Sequence, residues 1–190
     1  MGPRLRGDDA SLWCGGVRSL RKPGTMSRHL RAGLIAAVAA LALDQAVKLW
    51  LLYGYELGRR GAVRLAPFFD MVLAWNTGIS YGWFSETGPT GQAIMLAFKA
   101  VAVVVLAIWM ARSGTLLATI ALGLIIGGAI GNGIDRLAYG AVVDFALLHL
   151  EIAGKTYNWY VFNLADVAIV AGVGGLLYDS FFGQPAVKAP

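Results

Sequence analysis

A chain of 190 residues that is 57% hydrophobic and 14% charged is too apolar for an ordinary soluble domain, in which roughly a quarter of residues carry charge. The mean hydropathy of +0.63 agrees, and one compact membrane domain is the expectation. The net charge of +5 does not indicate a nucleic-acid partner. Many basic residues fall early in the chain, no RNA- or DNA-binding motif accompanies them, and a basic cluster beside a span reads as a contact with anionic membrane lipid. Cys14 is the single cysteine, which rules out an intrachain disulfide and a Cys-based metal site.

Residues 1–25 are rich in Gly, Arg and Pro and show no apolar period. They read as a disordered extension, a tag or an upstream start, and are set apart from a membrane domain over 26–185. The first span is expected over about 30–52, with Arg28 and Arg31 at its start, because a crossing needs ~20 apolar residues. A cleaved signal peptide ending at Ala40-Leu41-Ala42 competes, but apolar residues continue through Leu49-Trp50-Leu51-Leu52. Asp44 and Lys48 stand four apart on one face of this span and can pair.

Residues 53–91 form a long connection. Gly54, Gly58, Gly61 and Pro67 interrupt helix, and the β-branched and aromatic content of Val63 to Trp75 suits short strands. Phe68, Phe69, Trp75, Tyr81, Trp83 and Phe84 read either as an interfacial belt or as the lining of a groove for acyl chains. The second span, about 92–111, contains Lys99, expected to snorkel toward the surface. The third, about 115–134, ends in Gly123, Gly127, Gly128 and Gly131, and the four-residue spacing of Gly127 and Gly131 lets helices approach. Alternation and a Gly turn predict a hairpin over 145–162, with His149 pointing outward. The fourth span covers about 163–182. An inside N-terminus then places Arg28, Arg31, Arg112 and Lys188 inside, as the positive-inside tendency asks.

This arrangement sends polar groups from distant stretches to one membrane face: Asp44, Asn76, Asn132, Asp135, Arg136, Asp144, Asn163 and Asp166. Asn132 with Asp135, and Asn163 with Asp166, are three apart, so each amide can bond its neighbouring carboxylate. Polar residues at membrane depth are costly and tend to mark function. Two histidines and no H-E-x-x-H speak against a zinc protease; Gly78-Ile79-Ser80-Tyr81-Gly82 has the letters of G-x-S-x-G, but no Ser-His-Asp set goes with it. Paired carboxylates remain, and two of them sharing a proton can hydrolyse an amide with no metal or other cofactor. Residue physics leaves open which two of Asp135, Asp144 and Asp166 act; an ion pair between Asp135 and Arg136 would favour the other two. A small transporter would instead spread polar groups through the bilayer and show a repeat. A lipid-binding assembly factor would tolerate Asp→Asn changes.

Five blocks then carry a resemblance: Asp44-Gln45-Ala46-Val47-Lys48, Asn76-Thr77-Gly78-Ile79-Ser80-Tyr81, Gly127 through Arg136, Val142-Val143-Asp144-Phe145, and Phe162-Asn163-Leu164-Ala165-Asp166. In this order on four spans they resemble the bacterial lipoprotein signal peptidases, or signal peptidase II. The resemblance implies an aspartic endopeptidase of the inner membrane that cuts prolipoproteins just before a diacylglyceryl-modified Cys. By motif, Asp144 and Asp166 would be catalytic. Asn76, Asn132, Arg136 and Asn163 would line the site, and Asp44, Lys48, Gly128 and Asp135 would support it. The implied fold is mainly α: four transmembrane helices with a small extracytoplasmic β-cradle and a short interfacial helix, within 53–90 and 146–162. No metal or cofactor is implied, and one chain holds the whole site, so a monomer is expected.

Overall fold

The computed structural model describes residues 27–77 and 89–182. The N-terminal extension read over 1–25, and Ser80, Tyr81, Trp83, Phe84 and Lys188, lie outside the described residues.

Ser27 opens the first helix by accepting the Leu30 N–H at 3.1 Å, a side-chain N-cap. The helix α1 covers Arg28–Leu49 and continues as a π-helical turn through Trp50–Gly54. A four-residue helix α2 (Leu57–Arg60) follows, then strands β1 (Val63–Ala66) and β2 (Phe69–Asn76). Next come α3 (Pro89–Arg112) and α4 (Leu116–Tyr139), strands β3 (Val142–Ile152) and β4 (Lys155–Phe162), and α5 (Leu164–Phe182). The strands form one antiparallel sheet in the order β1-β2-β3-β4.

Four helical stretches are long and apolar enough to cross a membrane: Arg28–Gly54, Ala93–Arg112, Leu116–Tyr139 and Leu164–Phe182. Their outward side chains suit a lipid solvent. Ile35, Phe98, Val170 and Phe181 are each more than two-thirds exposed, large apolar groups that water would penalise and acyl chains would not. The fold is therefore the mainly α, four-span architecture with a small sheet that the sequence led us to expect.

α4 is the axis, burying over half of its apolar window where the other spans bury under a quarter. Small residues make this possible. A Cβ at Gly123 or Gly127 would fall on the carbonyl of Gly33 or Ala37 in α1, and one at Gly128 would lie 2.5 Å from the Ala165 carbonyl in α5. Lipid is as apolar as leucine, so helices in a bilayer associate through such close backbone contact rather than by burying grease.

The sheet is tied to one end of the bundle. Leu51 and Leu57 pack with Phe145 and Ala146, flanked by Phe69, Leu73 and Phe162. The β3–β4 turn has two residues, Ala153 and Gly154, with φ of 50° and 74°. Both positive angles fit a two-residue hairpin loop whose twist matches its strands.

Candidate active site

The site is built around a buried ammonium. Lys48 Nζ lies 2.8 Å from Asp44 Oδ2, 2.7 Å from Asp135 Oδ2 and 3.0 Å from Asn132 Oδ1. The Asp44–Lys48 pair expected from four-residue spacing is thus formed, and Asp135 joins it from α4. Charges this deep survive only when every lone pair is answered. Asp44 Oδ1 accepts the Ala165 N–H at 2.9 Å, and Asp135 Oδ2 accepts the Val143 N–H at 3.1 Å. Gln45 Nε2 donates to Asp135 Oδ1 at 2.9 Å and to the Gly131 carbonyl at 3.2 Å. Residue spacing alone gave Gln45 no role. A signal was present even so, since an amide inside an apolar span and next to Asp44 is itself costly.

An Asp135–Arg136 ion pair does not form; Asp135 takes Lys48 instead. Successive helical residues point to different sides, so adjacency in sequence was the wrong guide. The Asn132–Asp135 hydrogen bond is likewise replaced. Asn132 Nδ2 crosses to Asp166 Oδ1 at 2.9 Å.

Asn163 and Asp166 do engage one another, as a reciprocal cap at the start of α5. The Asp166 N–H donates to Asn163 Oδ1 at 3.0 Å, and the Asn163 N–H donates to Asp166 Oδ2 at 3.1 Å. This is the capping-box logic with an amide and a carboxylate. The second hand of Asn163 reaches away from the cap: its Nδ2 donates to Asp144 Oδ1 at 2.6 Å and to Asn132 Oδ1 at 3.0 Å. Asn163 therefore touches both Asp144 and Asp166.

Asp144 arrives on β3, where Ala74 is its cross-strand partner and Asn76 faces Val142. Asn76 is the diagonal neighbour on the same face, and its Nδ2 donates to Asp144 Oδ2 at 3.0 Å. Asp144 is 2% exposed, while Asp166 is only half-buried. Burial pushes the Asp144 carboxyl above the ordinary carboxylate range; the Asn76 hydrogen bond opposes this, and the nearby Asp166 charge adds to it.

Arg136 is buried at 7% exposure, and its Nη1 has no hydrogen-bond partner among the described residues. Asp144, Asp135 and Asp166 are all within its electrostatic reach. Lys99 is half-buried, with the charges of Arg136, Asp166 and Asp135 within electrostatic reach. His149 is a correction. It is 3% exposed, with Asp70 of β2 and Arg64 of β1 each 3.5 Å away, because side chains of the neighbouring strands crowd the same face of the sheet. Among the described residues, no group of three or more His, Cys, Asp or Glu is placed to hold a metal ion.

A membrane-spanning bundle that gathers carboxylates, amides and a buried guanidinium at one end, under a small sheet, defines a class of polytopic membrane hydrolases. Residues 36–182 match the family model described as signal peptidase (SPase) II. The lipoprotein signal peptidase of Rhodopseudomonas palustris (strain TIE-1) is 78% identical over 161 residues, covering 85% of this chain and 98% of that protein. Its counterpart in Nitrobacter hamburgensis is 73% identical over 161 residues, with the same 85% and 98% coverage. Among solved structures, a bacterial membrane enzyme determined by the in meso method is similar with a TM-score of 0.66 at 24% identity, covering 81% of this chain and 95% of that one. The chain belongs to the signal peptidase II family and is a membrane protease of that kind.

Proposed function

We propose that Asp144 and Asp166 are the catalytic pair with which this signal peptidase II cleaves diacylglyceryl-modified prolipoproteins before the lipidated Cys. The single observation behind this reading is Asn163, which donates to Asp144 Oδ1 at 2.6 Å and to Asp166 Oδ2 at 3.1 Å and so holds both carboxyl groups in one network. Asp44 and Asp135 are committed to Lys48. Of these four carboxylates, Asp144 and Asp166 are therefore the two without a salt-bridged cation among the described residues.

The chemistry follows from their different surroundings. Burial and the Asp166 charge favour the protonated form of Asp144, so Asp144 gives the shared proton to the scissile carbonyl oxygen as water attacks. It then takes a hydroxyl proton back from the tetrahedral diol while the proton gathered by Asp166 passes to the leaving amine as the C–N bond breaks. Asp166, more open, takes a proton from the attacking water. The titration belongs to the pair. No metal or cofactor takes part. The Nη1 of Arg136, without a hydrogen-bond partner among the described residues, is a donor for a substrate carbonyl, and Asn76, Asn132 and Asn163 line the cleft. Asp44, Lys48, Gly128 and Asp135 support it.

The reading includes a place in the cell. The protein sits in the bacterial inner membrane with both termini cytoplasmic, the site at the extracytoplasmic end, and lipid around a monomer. Arg28 and Arg31 at the start of α1, and Arg112 at the end of α3, support that orientation. The test is gel-shift processing of a lipidated precursor by purified protein. Asp144→Asn and Asp166→Asn are each expected to lower the rate by about 10²–10⁴-fold while still inserting and folding. Near-parental turnover by either variant removes that residue from the pair.

A further inference from the structure

Which way round an asparagine sits decides what it offers its neighbours. Asn132 turns Oδ1 to the Lys48 ammonium at 3.0 Å and to Asn163 Nδ2 at 3.0 Å, which leaves Nδ2 for Asp166 Oδ1 at 2.9 Å. An ammonium has three hydrogens and no acceptor. A flipped Asn132 would press N–H against N–H in a buried setting, where an unmade hydrogen bond is expensive. Lys48 has an acceptor for each of its hydrogens, on Asp44, Asp135 and Asn132. Two carboxylates hold the cation, the cation holds the amide, and the amide meets Asp166. From Asn132 Oδ1 the chain also runs through Asn163 Nδ2 to Asp144.

We infer that Lys48 is a positioning residue for the reaction: acting through Asn132 and Asn163, it fixes the donors that aim the carboxyl groups of Asp166 and Asp144. This rests on those two being the catalytic pair. It assigns Lys48 more than the neutralising role its burial would suggest. A counter-ion can be replaced by removing the charge it balances; an orienting donor cannot, because the amide still lacks its partner.

That difference sets the experiment. Lys48→Met alone strands two buried carboxylates, so it is combined with Asp44→Asn, which removes one charge of each sign and keeps an oxygen for the Ala165 N–H. Full-length protein in detergent is checked by thermal melting, then kcat and KM are measured with a diacylglyceryl-modified precursor. The double variant is expected to keep KM within about threefold and to lose about 100-fold in kcat, the usual effect of slightly misplaced catalytic groups. Parental kcat in a folded double variant overturns the inference. If that protein melts below the assay temperature, Asp135→Asn replaces Asp44→Asn as the balancing change, with the same outcomes.

Asn132→Asp probes the same link from the other side. It keeps an acceptor for Lys48 but loses the N–H that Asp166 receives. Its kcat loss should match that of the double variant, and the two together should cost less than about twofold more than either, as changes to one link do not add. Full multiplication of the losses overturns the inference. Failure of the catalytic-pair reading would show separately, as processing by Asp144→Asn or Asp166→Asn. If those are dead while the Lys48 double variant runs at full kcat, only the positioning role falls.

Discussion

Asp144 binds its proton more tightly in the folded protein than in the unfolded chain, because burial raises its carboxyl above the ordinary range. A raised acid stabilises the native state most below the unfolded value, and that stability is lost as pH climbs through the folded value. The melting temperature should therefore decline as pH rises from about 4, the ordinary aspartate value, and Asp144→Asn should lack this part of the decline. Thermal melts of both proteins across that pH range check it; parallel curves would show that Asp144 does not carry the slope. His149 gives a second expectation at this scale. His149→Leu removes a buried imidazole whose Nδ1 has no hydrogen-bond partner among the described residues, leaves the Arg64–Asp70 pair in place, and should change stability by less than about 1 kcal/mol, read from denaturation of the detergent-solubilised protein.

At the scale of elements, the Gly-rich end of α4 determines how near α1 and α5 can come. Gly127 has no room for a Cβ, since Ala37 backbone fills the space. Gly127→Ala should part α1 from α4 and destabilise by about 1–3 kcal/mol, the usual cost of overpacking. Gly133 lies on the same helix, with no neighbouring atom within 4 Å of where a Cβ would stand, so Gly133→Ala should be neutral or stabilise by up to about 1 kcal/mol through lower chain entropy. Melting temperatures that move in the same direction for both would contradict this account of the helix contact. The shift at Gly127 should also reach the chemistry. Asp44, on α1, lies 2.8 Å from where a Cβ at Gly131 would be, so the spacing of α1 and α4 also sets where the Lys48 ammonium stands.

For the whole molecule, the arrangement predicts indifference to chelators. The proposed chemistry uses side chains alone, so washing with EDTA should leave processing unchanged; loss that zinc restores would contradict it. Much of this was readable from the chain itself. Four apolar stretches of crossing length, a Gly turn between alternating segments, and Asn163 three residues before Asp166 are local signals. They work because helix period, turn geometry and capping depend on neighbours in sequence. Long-range partners were a different matter. Adjacency suggested Arg136 for Asp135, and three-residue spacing suggested Asp135 for Asn132, yet the folded chain joins Asp135 to Lys48 across 87 residues and Asn132 to Asp166 across 34. His149 was misjudged for the same reason. Its alternation along β3 is local, but what crowds it is Asp70 and Arg64 from β2 and β1, brought alongside by the register of the sheet. Sequence by itself determined the spans, the hairpin and the set of polar residues, since each is dictated by local covalent spacing and by the cost of polarity in lipid. Tertiary structure alone decided who bonds to whom, because a buried charge takes the partner that helix packing brings within about 3 Å, wherever that partner lies in the chain.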